Sequence, residues 1–407
     1  MVDRCSICGS PKVAELLNLG KQPLANDLKL TPESSLSAEC YDLILEVCEN
    51  CTYVRLNTLV DPKKLFSGNT YLTGISGQTR NDMQDFALSC VERLNLKKNS
   101  KIIDVASNDG TLLSFFNSLN FVTLGIDPSV NATKIARNRG INTINDFFEK
   151  NLTNKIIDEF GKVDLVTMTN LITHVADPKE LLISAKEILM EGGHIGLEFY
   201  YFDSLVSNVA FDQVYHEHIS YFNFRSFNTL VKDCGLRIEF VEIVKSQGGS
   251  VRCFLSIDDG RNYDLPESVK EFFKREGAQK DIIERYQQFS KEVNVKKLKV
   301  LNFINSNRNA IICGYGASAK STVFLNFLNL KSAQIRFIAD MSQLKVGKYI
   351  PGTDIKVEDP IKIPEAHPDY IIIFAWNLAQ EIITYLRSFL KYPVKYVLLT
   401  PDLSLNN

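Results

Sequence analysis

Lys101-Ile-Ile-Asp-Val-Ala-Ser-Asn-Asp-Gly110, followed by Thr111-Leu-Leu-Ser-Phe-Phe116 and Phe121-Val-Thr-Leu-Gly-Ile-Asp-Pro128, is the stretch that decides the fold. A short apolar strand ends at an acid, and a polar turn follows it. A helix opens at Thr111, and a second apolar strand ends at Asp127. This is the first β-α-β of a doubly wound sheet, whose ligands bind beyond the carboxyl ends of the strands. The turn has one glycine where the dinucleotide fingerprint needs three, which disfavours a pyrophosphate cradle.

Asp104, the turn residues Ala106, Asn108 and Gly110, and Asp127 suit S-adenosylmethionine better. That cofactor lacks a phosphate. It offers a ribose diol to an acid and a charged amino-acid end to a turn. After the third predicted strand, Asp146 and Phe147 place an acid and an aromatic where an adenine would lie. The fourth strand, Asp164–Met168, leads into Thr169-Asn170-Leu-Ile-Thr-His174, and His194–Phe199 reads as the fifth. His174 sits at a strand end facing the cofactor position, as catalyst or as hydrogen-bonded scaffold; His194, beside Gly192-Gly193, reads as structural. A helix over 224–235 and a hairpin, Ile238–Val244 with Ser250–Ser256, close the sheet. Arg252 on that hairpin is either a ligand-anion contact or a solvated strand charge.

Gln213-Val-Tyr-His-Glu-His-Ile-Ser-Tyr-Phe222 concentrates Tyr215, His216, Glu217, His218 and Tyr221. Imidazole titrates near neutral pH, and a neighbouring phenol or carboxylate can set its tautomer, so this run is able to abstract a proton. Three readings are open: a proton-abstracting cluster, a plain strand with His216 and His218 on one face, or a metal pair on that face. At the amino end, Cys5-x-x-Cys8 and Cys48-x-x-Cys51 present two thiolate pairs, the pattern of a tetrahedral zinc site. Four thiolates fill the coordination shell, which makes the metal structural; Cys40 lies outside both pairs and is expected to be buried. Tyr71, in a glycine-bearing loop ahead of a helix over 78–94, is a packed aromatic or a lid over a ligand.

Residues 261–309 are charged and helical. A second α/β unit begins at Ala310, with Gly314-x-Gly316-x-Ser318-x-Lys320 opening a helix. Such a turn can hold an anion with backbone N–H groups and the helix dipole. The expectation is a phosphate-bearing substrate at Gly316, Ser318 and Lys320, or a turn that merely serves the fold. The 407 residues exceed one core, and a net charge of −2 without a basic tract disfavours nucleic acid and anionic membranes. With no apolar run long enough to span a bilayer and no signal-like start, the expected compartment is the cytoplasm. The nine cysteines then read as ligands or buried thiols, not disulfides.

Taken in order, five motifs resemble the sugar C-methyltransferases of deoxysugar biosynthesis, and the likeness covers nearly the whole chain. They are the four cysteines, Ala106–Leu113, Asn170–Asp177, Val214–Phe222 and Gly314–Lys320. The resemblance implies a class I methyltransferase Rossmann-like α/β domain at 69–265. It also implies a small zinc-binding domain at 1–68, and a helical connector with a C-terminal Rossmann-like domain at 266–407. It further implies methylation at C-3 of a nucleotide-linked 4-keto-6-deoxy sugar. His218 would be the general base, Tyr215 and Glu217 would stand beside it, and His174 and Tyr71 would complete the pocket. It implies a monomer. Two alternatives stay open from the residues alone: an O- or N-methyltransferase on the same scaffold, and a non-catalytic zinc-bearing adaptor.

Overall fold

Three sheets organise the chain, which a computed structural model describes over residues 4–66 and 72–406. The central sheet runs, from one edge, Thr143–Ile144, Val122–Ile126, Lys101–Val105, Val163–Thr169, Leu189–Tyr200, Ser250–Ile257 and Leu236–Val244. The first five are parallel, and Ser250–Ile257 is antiparallel to both of its neighbours. Ile102, Ile103, Leu165 and Val166 are wholly buried, as expected of parallel strands covered on both faces. The first β-α-β, the five parallel strands and the closing hairpin stand where the sequence pattern put them. No helix among the described residues is long and apolar enough to cross a membrane.

The amino-terminal sheet is antiparallel, and its fourth strand comes from elsewhere in the chain. Val13–Pro23, Cys40–Cys48 and Val54–Leu56 are joined by Ser220–Tyr221, which pairs with Arg55 and Val54. The expected strand through 213–222 is therefore mostly absent. A helical turn, Phe211–Gln213, is followed by a tight bend closed by His218 N–H on the Tyr215 carbonyl at 2.9 Å. Folding back breaks the two-residue alternation. His216 turns to Tyr41, with ring centroids 5.8 Å apart, and His218 turns to His174, at 4.8 Å. The two histidines do not share a face, which removes the metal-pair reading. Cys40 is exposed rather than buried, because it begins a strand at the rim of this sheet.

The carboxyl-terminal sheet has five parallel strands, Val357–Glu358, Ile338–Ala339, Ile312–Tyr315, Tyr370–Ile373 and Lys395–Leu398, and an antiparallel edge, Ser404–Asn406. The connector is the helix Gln279–Ser306, whose buried face includes Tyr286, Phe289, Val293 and Val300.

Asn223 ties these parts together. Its side-chain oxygen caps the helix Phe224–Asp233 by accepting from Ser226 N–H at 2.8 Å. Its amide donates to Thr52 Oγ1 of the amino-terminal module at 2.7 Å and to the Tyr286 hydroxyl of the connector at 2.9 Å. Replacing it removes a cap and strands two buried partners. Asn223→Ala is expected to lower unfolding free energy by about 2–3 kcal/mol in denaturant titration. A loss below about 0.5 kcal/mol, the scale of an ordinary surface substitution, would show that the tie is dispensable.

Candidate active site

One cavity of about 580 Å³ opens at the carboxyl ends of the central strands, and all three modules line it. At its cofactor end lie Ala106, Asn108, Asp127, Asp146, Phe147 and Asn170. Ala106 and Asn108 hold positive φ of 60° and 50°, the conformation that carries the turn around this end of the cavity. Asp127 is fixed by accepting Asn108 N–H at 2.9 Å and Ser129 N–H at 2.8 Å. An acid at the second strand end, an aromatic beside an acid and a turn of backbone groups suit the ribose, adenine and amino-acid ends of S-adenosylmethionine.

Two residues expected here lie elsewhere. Asp104 is buried beneath the turn, where it accepts from Thr167 Oγ1 of the neighbouring strand at 2.7 Å, and burial pushes its carboxyl up to about 7. Gly110 caps the following helix at φ 75° and lies against Ile141, which leaves no room for a side chain. Arg252 is neither a ligand contact nor a solvated charge. It is 3% exposed and pairs with Glu198 at 3.0 Å and with Asp85 at 2.9 Å, locking the hairpin to the sheet.

The catalytic candidates meet in the middle of the cavity. His218 Nδ1–H donates to the Gln213 carbonyl at 2.8 Å, because a carbonyl can only accept. Nε2 is then the bare nitrogen, and it accepts from the Tyr215 hydroxyl at 2.7 Å. Burial first, and the nearby His174 ring second, hold His218 well below the usual imidazole pKa. His174 Nδ1–H donates to the Glu217 carbonyl at 2.7 Å, and burial lowers this ring to about 4. Both rings are neutral at pH 7. The Glu217 side chain is not on His218: Oε1 accepts from Asn26 at 2.9 Å, and Oε2 is buried without a hydrogen-bond partner among the described residues. Burial raises this carboxyl to about 7. Tyr71 lies outside the described residues.

Ser318 and Lys320 line the end built by the carboxyl-terminal domain, and Gly316 does not, since Ala375 packs over its Cα. Ser318 Oγ is buried without a partner among the described residues. Lys345 lines this end too, and Asn26 enters from the amino-terminal module. Neither carried a sequence signal: Asn26 follows a strand in an ordinary turn, and Lys345 is one lysine in a charged loop.

The four cysteines bring their sulfurs within 4.8 Å of one another. Cys5–Cys51 and Cys8–Cys48 are each 3.6 Å apart, close to the edge of roughly 3.8 Å that tetrahedral zinc with 2.3 Å bonds imposes. The residues fit the metal, and a closed thiolate shell gives it a structural role.

Comparisons with known proteins agree with this arrangement. Family models described as "putative zinc binding domain", "methyltransferase domain" and "C-methyltransferase C-terminal domain" match residues 5–66, 78–240 and 245–401. The chain is similar to C-methyltransferase NovU of Streptomyces niveus, with 28% identity over 98% of this chain and 96% of that protein. Among solved structures it resembles an S-adenosylmethionine-dependent methyltransferase from Clostridium acetobutylicum. The identity is 16% and the TM-score 0.36, over 44% of this chain and 92% of that one. It also resembles the magnesium protoporphyrin IX methyltransferase of Synechocystis with bound cofactor. There the identity is 11% and the TM-score 0.33, over 43% and 78% of the two chains. The methyltransferase and zinc-binding family matches, with the four clustered cysteines, give S-adenosylmethionine as the cofactor and zinc as the metal.

Two measurements follow from the geometry. Purified protein is expected to carry one zinc per chain by elemental analysis, and Cys51→Ser to lose both the metal and thermal stability; full stability without metal would refute the structural role. For Glu217, burial pushes the folded carboxyl up to about 7, above the ordinary glutamate value of about 4.3. The folded state therefore holds this proton more tightly, and the stability it confers is lost as pH rises from the unfolded to the folded value. Glu217→Gln removes that loss. The variant's melting temperature relative to the parent should rise across this window and level off above it, with a ceiling on the order of 3 kcal/mol. A difference that does not vary with pH would mean that the carboxyl titrates normally.

Proposed function

We propose, from the premise that the chain belongs to the zinc-bearing, S-adenosylmethionine-dependent C-methyltransferase family, that its substrate is a nucleotide-linked 4-keto-6-deoxy sugar. The methyl group goes to C-3, the carbon beside the ketone, through a base-generated enolate. The observation that carries this reading is the His218 ring: buried, neutral, and fixed in the tautomer whose bare Nε2 meets the Tyr215 hydroxyl in a cavity shared with the cofactor end.

Carbon is a poor nucleophile until a C–H is made acidic, and a neighbouring ketone does this by spreading charge onto oxygen. His218 Nε2 takes the C-3 proton, and the electron pair moves into the enolate. Tyr215 donates to the enolate oxygen, a role that a buried, preorganised donor fills better than water. The neutral His174 ring spends its one N–H on the Glu217 carbonyl and is a wall of the site rather than a donor. Glu217 closes this wall of the site through Asn26, so its part is to hold the pocket rather than to charge the imidazole. When bound, S-adenosylmethionine supplies an electrophilic methyl group whose sulfur leaves as a neutral thioether. The polar end at Ser318, Lys320 and Lys345 gives a nucleotide diphosphate its counter-charge, which supports the nucleotide-linked class over a free sugar.

The test is mass spectrometry of a panel of nucleotide 4-keto-6-deoxyhexoses incubated with enzyme and cofactor, with NMR of the product to separate carbon from oxygen methylation. His218→Asn is expected to bind the cofactor normally, and to lose turnover and deuterium wash-in at C-3. Near-parental turnover in that variant would sink the base assignment, and an O-methyl product would sink the enolate.

A further inference from the structure

The turn Phe211–Gln213 belongs in sequence to the methyltransferase domain, yet the carboxyl-terminal parts of the chain hold it. The Phe211 ring lies against Phe324 and Phe327, with centroids at 5.4 and 5.1 Å. Just before the turn, the Val209 carbonyl accepts from Lys296 of the connector at 3.0 Å, and the same ammonium reaches Thr400 Oγ1 at 2.9 Å. Asp212 is 4% exposed and accepts the indole N–H of Trp376 at 2.9 Å; its other oxygen has no partner among the described residues. The next residue is Gln213, whose carbonyl fixes the His218 tautomer. Trp376 also braces a second element. Gly248, at φ 92°, meets the indole so closely that a Cβ there would lie 2.4 Å from the ring, and its neighbour Gln247 lines the cavity.

We propose that Trp376 is a positioning residue for methyl transfer, acting through Asp212 on the turn whose Gln213 carbonyl orients the His218 ring. On this view the carboxyl-terminal domain is the buttress of the base as well as a wall of the substrate site. The proposal rests on His218 being the base. Trp376 itself touches no reacting atom; its leverage comes from a hydrogen bond to a buried carboxylate whose other oxygen has no hydrogen-bond partner among the described residues. Without that bond the turn keeps its anchor at Phe211 but loses the one at Asp212, next to Gln213, and the acceptor of the His218 Nδ1–H is held less firmly.

Trp376→Phe keeps an aromatic ring at this position and removes the N–H, together with the outer indole carbons that reach Gly248. Because five histidines are present, ¹⁵N-histidine NMR of the full-length zinc protein reads the tautomer directly, with the His218 signals assigned by their absence in His218→Asn. The parent is expected to show a protonated Nδ1 and a bare Nε2, and Trp376→Phe a mixture. For whichever panel sugar nucleotide is turned over, kcat should fall about tenfold, with KM and the affinity for S-adenosylhomocysteine changed by less than about twofold. The double variant Trp376→Phe with Asp212→Asn removes the stranded charge and should recover melting temperature without recovering kcat. An unchanged His218 tautomer with parental kcat in Trp376→Phe overturns the proposal, as does kcat returning together with stability in the double variant. An active His218→Asn would instead bring down the base assignment on which the proposal stands. A dead His218→Asn beside a fully active Trp376→Phe brings down this inference alone.

Discussion

Both nitrogens of the His218 ring are committed inside the protein, one to a carbonyl and one to a phenol, and that pair of hydrogen bonds governs the rest of the site. A carbonyl acceptor dictates which nitrogen carries the proton, and burial dictates that the ring stays neutral. The result is a lone pair at Nε2 that faces the Tyr215 hydroxyl, on a ring whose other nitrogen is pinned to the backbone. The segment presenting the ring runs through three different neighbourhoods within 15 residues. Carboxyl-terminal aromatics grip Phe211, the Thr173 carbonyl accepts from Ile219 and Ser220, and the amino-terminal sheet takes Ser220–Tyr221 as a strand. The dependence runs both ways: a zinc module that loses its metal would loosen the sheet on which this strand is paired.

Electrostatics sorts the groups that line the cavity: Asp127 and Asp146 beside Phe147, the uncharged rings of His174, Tyr215 and His218, and the two lysines Lys320 and Lys345 from the carboxyl-terminal domain. Burial pushes the titratable groups around His218 towards their neutral forms. Burial lowers His174 to about 4 and raises Glu217 to about 7. Neutral groups in a low-dielectric site are cheap to bury, while a charge there needs a partner. Arg252 illustrates the second case, being buried only because Glu198 and Asp85 meet it.

Much of this was legible in the sequence, because β-α-β alternation and C-x-x-C spacing are local signals. The run of strands and the polar turn specify the central sheet, and the cysteine pairs specify the metal. What escaped was non-local. Alternation through 213–222 suggests a strand, but the pull of three separate modules bends the chain and sends His216 and His218 in different directions. Asp104 has the sequence position of a ligand contact, yet register pairs it with Thr167 and buries it. Arg252 has the look of a free strand charge until Glu198, 54 residues away, is seen to be its partner. Asn26, Lys345 and Trp376 enter the site from distant segments, and no short motif announces them.

The carboxyl-terminal domain shows how a familiar fold can be turned to another use. Gly314-x-Gly316-x-x-Ala319 after a strand, with Asp340 at the end of the next strand, has the outline of a dinucleotide site in which the acid holds a ribose. Here that acid holds two backbone N–H groups, as Asp127 does, and a lysine besides. Asp340 accepts the backbone N–H groups of Ala317 at 2.8 Å and Ser342 at 2.9 Å, and Lys345 stands at 3.4 Å. Phe374 and Ala375 fill the space over the two glycines, where a ligand's phosphates would need to approach. Of this turn, Ser318 and Lys320 face the methyltransferase cavity. A Rossmann-like turn whose own crevice is closed, and whose polar groups open sideways, is better suited to serve a neighbouring site than to hold a second cofactor. That accounts for the packing of this domain against the segment that carries His218.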